Sequence, residues 1–205
     1  MGIRIRSMVM GPVATNVYYI YDEDTNEAVV FDPAVKGQWI CEHLTGKGMH
    51  VNAILITHGH FDHISGANEL RAASGAKIYA PLPEKEMLND PSLNLSDTGY
   101  TVTADVYVEN GQELMLGGMS FRVIETPGHT SGGCCYYLES EKILISGDTL
   151  FAGSIGRTDL PTGSAGTLIS SVREQLMQLP DDVTVYPGHG GSTTIGEERK
   201  YNPFL

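Results

Sequence analysis

Four side chains that bind metal ions well crowd into six positions. They are His58, His60, Asp62 and His63, in the stretch ITHGHFDHISG from Ile56 to Gly66. His58 and His60 leave a short apolar run, Val51 to Thr57, that reads as a buried strand. In extended chain, residues two apart face the same side, so both imidazoles can grip one cation. Asp62 and His63 fall where the chain turns toward a helix. That change of direction aims the second pair at a neighbouring point. The stretch offers two ligand pairs, enough to begin two metal sites.

Three more residues of the same kind follow strand-like runs. His129 sits in TPGH after FRVIE, Asp148 follows KILISG, and His189 sits in YPGH after VTVY. Each lies beside a glycine, which lets backbone pass close to an ion. Four strand ends carrying ligands describe a site along one edge of a layered sheet. A solvated turn that is merely His-rich would have to recur by coincidence at each of these ends. His43 and His50 have no such company and are read as having no functional role. Cys41 falls in a predicted helix, and Cys134 and Cys135 point opposite ways in extended chain. All three are read as packing, and an odd number of cysteines makes no disulfide framework.

Imidazole and carboxylate ligands suit zinc first, with iron or manganese also accommodated. Two divalent ions about 3.5–4 Å apart make a two-metal hydrolytic site, and a water between them deprotonates near pH ~7. Asp62, Asp148 and that hydroxide offset three of the four positive charges. The remaining one stabilises the oxyanion formed when hydroxide attacks a carbonyl. Asp62 is also placed to orient the hydroxide, which makes it the catalytic candidate. No Gly-x-Ser-x-Gly nucleophile elbow is present. Asp32, ending VVFDP, and Thr57 are candidates to hold the far nitrogens of ligand imidazoles. A strand-ending turn and an ordinary strand threonine explain those two equally well. Seven ligand-type residues exceed the four of a closed structural site, which argues against a non-enzymatic metal-binding module.

The elements that must position these residues are legible in outline. Strands are predicted at 16–21 and 27–31, across a turn at 22–26, then a helix at 36–46 and a strand at 51–57. A helix capped by Asp62 follows at 63–73, then a strand at 77–80. Residues 81–105, rich in Pro, Asn, Asp and Ser, read as an insertion or active-site loop. Strands return at 113–116, 120–125, 135–138, 142–146 and 183–186, with a helix at 165–179 before the last. Two similar halves of strands and helices imply an α/β fold with sheets layered between helices. The 205 residues suit a single domain spanning 1–205.

A net charge of −12 argues against a nucleic-acid-binding surface. No run approaches the ~20 apolar residues of a membrane span. The first residues lack a signal-peptide core, so a cytoplasmic location is expected. The expected partner is a small-molecule substrate; oligomeric state stays open.

Taken in order, THGHFDH, TPGHT, GD and YPGH resemble the metallo-β-lactamase superfamily over essentially the whole chain. The resemblance implies an αββα sandwich with the metals at one edge. It implies that His58, His60 and His129 hold one ion, that Asp62, His63 and His189 hold the other, and that Asp148 bridges both. GSIGRTDL at 153–160 and the ending TTIGEERKYNPFL resemble the glyoxalase II-like branch, the hydroxyacylglutathione hydrolases. That branch implies hydrolysis of a glutathione thioester, with Arg157 matching a basic substrate contact. Asp159 and Gly191 stand where the family places tyrosines, and the family's C-terminal helical domain is absent from the sequence. The alternatives are a mononuclear-iron persulfide dioxygenase, which shares GRTD and the NP-x-L ending, and a lactonase of the same fold.

Overall fold

The computed structural model describes residues 2–205. The chain begins with an antiparallel hairpin, β1 (Ile3–Met10) and β2 (Thr15–Asp22), and adds β3 (Glu27–Phe31). Helix α1 (Gly37–Thr45) then returns the chain to β4 (His50–Leu55), parallel to β3. Two short helices, α2 (Phe61–Ile64) and α3 (Ala67–Ser74), lead to β5 (Lys77–Pro81). Helices α4 (Lys85–Asn89) and α5 (Pro91–Asn94) lie between β5 and β6 (Val106–Val108), which closes a six-stranded sheet in the order β1 to β6.

The second half repeats the theme. Strands β7 (Glu113–Leu116), β8 (Met119–Glu125), β9 (Cys134–Leu138) and β10 (Ile143–Gly147) form an antiparallel run. A small ribbon, β11 (Leu150–Phe151) with β12 (Ser154–Ile155), precedes α6 (Ala165–Gln175). Strand β13 (Thr184–Pro187) pairs parallel with β10, and β14 (Thr193–Thr194) and α7 (Ile195–Tyr201) follow. The second sheet has the order β14-β13-β10-β9-β8-β7.

Side-chain alternation along the central strands assigns the layers. In β3, Val30 packs outward against Ile40, Leu44 and Leu70, while Val29 and Phe31 face the other sheet. In β9, Cys134 and Tyr136 face the first sheet, while Cys135 and Tyr137 pack under Leu168 and Val172 of α6. The two cysteines point opposite ways, as extended chain requires. Phe31 meets Phe121 and Tyr136 at ring separations of 5.6 and 5.9 Å between the sheets. Each such pair contributes about 0.5–1.5 kcal/mol beyond its buried area. Three apolar layers between four layers of structure make an αββα sandwich, as expected.

The predicted helix at 63–73 is broken in two. Gly66 passes so close to Pro33 that a Cβ would stand 2.6 Å from its carbonyl oxygen, and its N–H donates to that oxygen at 2.7 Å. The break frees the turn that carries Asp62 and His63 from the register of α3. Asp62 lies inside the first turn of α2, with His60 at the N-cap, so Asp62 does not cap the helix. Residues 81–105 are packed, not a free loop. Leu88, Val102 and Ala104 belong to the outer core, and Val102 N–H bonds back to the Leu88 carbonyl.

Candidate metal centre

Two parallel pairings set the site. β4 beside β3 and β10 beside β13 bring their C-terminal ends to one edge of the sandwich. The loops leaving β4, β8, β10 and β13 carry the seven ligand-type residues there. The sheets are tied across that edge by Asn16, whose Nδ2 donates to the carbonyls of Pro187 and Gly190, each at 2.9 Å. Tyr18 Oη donates to the same Pro187 carbonyl at 3.0 Å.

The seven side chains fall into overlapping groups. One is His58, His60 and His129; a second is Asp62, His63 and His189; a third joins His58 and His63 to Asp148. Ligand atoms within each group lie within 4.8 Å of one another. Asp148 stands between the first two groups. Its Oδ1 is 3.4 Å from His63 Nε2, and its Oδ2 is 3.5 Å from His129 Nε2 and 3.6 Å from His189 Nε2. Asp62 Oδ2 is 3.3 Å from both His63 Nε2 and His189 Nε2. Gly188 is required here, since a Cβ would stand 2.3 Å from Asp148 Oδ1. His189, 30 % exposed, is the member of the cluster most open to solvent.

Three histidines have their free nitrogen fixed by partners that can only accept, or have one proton to give. His129 Nδ1 donates to the Arg157 carbonyl at 2.7 Å. His63 Nδ1 donates to Asp32 Oδ2 at 2.9 Å. Thr57 Oγ1 gives its single proton to Asp32 Oδ2 at 2.7 Å, so it accepts from His58 Nδ1 at 3.1 Å. All three therefore turn an Nε2 toward the centre. Among the described residues, buried His58 Nε2, His63 Nε2 and Asp148 Oδ1 have no hydrogen-bond partner, and His60 turns its Nδ1 to within 2.9 Å of His129 Nε2. Buried polar atoms without partners are costly, and a divalent cation satisfies this set. The donors are nitrogen and carboxylate oxygen, which suits zinc, iron or manganese.

The electrostatics divide the cluster. Burial, with repulsion from neighbouring imidazoles, pulls His58 well below its ordinary value, and His60 falls to about 3 for the same reasons. His129 is also lowered, chiefly by burial. Burial opposes charge on His63 too, but Asp148, Asp62 and Asp32 outweigh it and hold His63 well above 6.5. The hydrogen bond to Asp62 raises His189. Burial opposes ionisation of Asp62 and Asp148, yet the surrounding imidazoles hold both carboxylates below the usual range.

Two supports were anticipated and one was not. Asp32 and Thr57 both orient ligand-type imidazoles. Thr15, whose Oγ1 donates to Asp62 Oδ2 at 2.8 Å, carries no sequence signal beyond its place at the start of a strand. Arg157 lies beside the cluster through its backbone. Its exposed guanidinium is engaged by Asp159 in two bonds of 2.8 and 2.7 Å. His50 pairs with Glu27 at the start of β4, and His43 stacks on Trp39, both outside the cluster. A cavity of about 320 Å³ opens beside Asp62, with Pro12, Val35, Phe61 and Leu95 on its walls.

An αββα sandwich with a two-centre His/Asp cluster at its strand ends defines a metal-dependent hydrolase. The model of the metallo-β-lactamase superfamily matches residues 10–189, and the chain belongs to that superfamily. It is 40 % identical over 205 residues to the probable metallo-hydrolase YqgX of Bacillus subtilis (strain 168), covering 98 % of this chain and 96 % of that one. It is 33 % identical over 196 residues to the hydroxyacylglutathione hydrolase GloC of Haemophilus influenzae (strain ATCC 51907 / DSM 11121 / KW20 / Rd), covering 93 % and 92 %. It is also similar to the crystal structure of BLEG-1 B3 metallo-β-lactamase, with TM-score 0.93, 39 % identity, and coverage of 98 % and 99 %.

Proposed function

We propose that the chain is a glyoxalase II-like thioesterase, acting in the cytoplasm on hydroxyacyl-glutathione or a related thioester. His58, His60 and His129 would hold one divalent ion, Asp62, His63 and His189 the other, and Asp148 would lie between them. The observation that carries the reading is the set of bare, buried ligand atoms arranged in two groups around Asp148. Two divalent ions, zinc first with iron or manganese as alternatives, supply Lewis-acid activation of water when bound. Asp62, anchored by Thr15, would orient that water. The glutathione side of the reading draws support from the similarity to GloC. The apolar part of the cavity wall beside Asp62 suits a small acyl group, and Arg157 would meet a substrate carboxylate once Asp159 releases it.

The test is metal analysis of protein purified without added metal, followed by rates on S-lactoylglutathione, a lactone, a β-lactam and glutathione persulfide. Wild type should carry two ions and prefer the thioester, and Asp148→Ala should lose most of that rate. Equal rates in wild type and Asp148→Ala would sink the reading. One iron per chain with oxygen uptake on the persulfide would replace it with a dioxygenase.

A further inference from the structure

Glu84 is a fully buried carboxylate outside the ligand set. It ends a single 3-10 turn, Leu82–Glu84, inside the segment between β5 and β6. Both of its oxygens are used. Oε2 accepts the N–H of Gly59 at 2.7 Å, and Oε1 accepts the N–H of Gly132 at 2.8 Å. Gly59 separates His58 from His60. Gly132 lies three residues beyond His129. One side chain therefore grips the two loops that carry one complete ligand group.

The packing around Glu84 makes the same connection. A Cβ on Gly59 would stand 2.8 Å from Met87 Cγ, and one on Gly132 would stand 2.6 Å from Pro83 Cβ and 2.8 Å from the Glu84 nitrogen. Both loops press against residues 83–87 with no room for a side chain. The rings they carry are held in mutual edge contact, with centroids 4.7 to 4.9 Å apart. Neither hydrogen bond touches the other group. Asp62 is held by Thr15, His63 by Asp32, and the His189 loop by Asn16 and Tyr18.

We infer that Glu84 is a positioning residue for one metal position only: it clamps the His58–His60 loop to the His129 loop and so sets the geometry of that trio, leaving the Asp62, His63 and His189 position to other supports. The inference rests on the two-ion reading above. Loss of a group that orients metal ligands typically lowers affinity by about 10–100-fold.

Single-position backgrounds test it. His189→Ala leaves the trio, and His129→Ala leaves the other group. Cobalt(II) affinity is measured in each by chelator competition, with and without Glu84→Gln. A glutamine keeps the shape but can accept from only one of the two N–H groups. Glu84→Gln should weaken cobalt by about 10–100-fold in His189→Ala and by less than about twofold in His129→Ala. Leu88→Ala loosens the same segment while keeping both hydrogen bonds. It should lower the melting temperature without that selective loss. Should Glu84→Gln not fold, Glu84→Asp, one methylene too short to reach both loops, is read in the same way. Equal losses in the two backgrounds, no loss in either, or the same selective loss in Leu88→Ala would overturn the inference. Failure of either background to bind any cobalt would instead refute the two-ion reading itself.

Discussion

His63 Nδ1 donates to Asp32 Oδ2 at 2.9 Å, and the same oxygen receives the Thr57 hydroxyl that accepts from His58. One carboxylate thus fixes the tautomer of a histidine in each ligand group. Its Oδ1 accepts the Thr57 N–H at 2.7 Å, so both oxygens are engaged. Asp32 adopts a left-handed φ of 46° to do this. For a non-glycine residue that is a strained choice, tolerated best by Asp and Asn, and such strain clusters at functional sites.

Asp32→Asn should therefore weaken metal at both positions, unlike a change at Glu84. An asparagine presents N–H groups where His63 Nδ1 and Thr57 need an acceptor. His63 would then carry its proton on Nε2, where the ion belongs. The expected loss is about 10–100-fold at each position, read by chelator competition. A loss confined to one position would show that Asp32 acts on a single histidine.

Thr15→Val removes one bond to Asp62 with almost no change in shape. Hydrogen bonds to charged groups contribute about 1.5–3 kcal/mol, so kcat on the preferred ester or thioester should fall roughly tenfold or more. Metal content should stay at the wild-type value, because the other contacts of Asp62 remain. An unchanged kcat would mean that Asp62 keeps its aim without Thr15.

What the sequence shows and hides has a physical pattern. Ligand-type residues were legible because strand ends, glycines and His/Asp types coincide at 58–63, 129, 148 and 189. The opposite directions of Cys134 and Cys135 were legible from the geometry of extended chain. The supports were harder. Thr15 acts through a partner 47 residues away and Glu84 through partners 25 and 48 residues away, and local patterning carries no trace of such pairings. Helix α7 was missed although Thr194 and Glu197 form a capping-box spacing, and the Glu197 N–H does bond to Thr194 Oγ1 at 3.2 Å. The split between α2 and α3 depends on Pro33, brought up from another part of the chain. His50, read as having no role, pairs with Glu27 away from the cluster, and His50→Ala should leave both metal content and turnover unchanged.

Arg157 and Asp159 form an exposed pair, and Arg157 holds the Asp159 carboxyl down to about 2. Exposed pairs are weak and screened by salt, so a substrate carboxylate can compete for the guanidinium. Asp159→Ala should lower KM for a glutathione thioester severalfold, and Arg157→Ala should raise it, both with little change in kcat. Both effects should shrink as salt is raised. If neither variant changes KM, Arg157 is not a substrate contact.

The opposed shifts within the cluster predict different proton release for the two ions. His58, His60 and His129 are lowered from 6.5, so near neutral pH they are already bare. An ion entering that trio displaces no proton near neutral pH, and its affinity should stay flat until the pH falls below 6.5. His63 is raised well above 6.5 and His189 is raised, so an incoming ion must displace the protons this pair holds. Affinity at that position should therefore rise with pH, about tenfold per unit for each proton released, up to the raised values. The metal-free fold follows the same signs. The protonated pair stabilises it below 6.5, and that contribution is lost as pH rises through the raised values. The bare trio opposes this, because the unfolded chain takes up protons below 6.5 and stability falls as pH drops toward 3. Calorimetric metal titrations in buffers of different ionisation heat count the protons directly. Near-zero release for one ion and up to two protons for the other is the expected result. Equal release for both would show that the two positions share their protons, contrary to the division drawn from burial and charge.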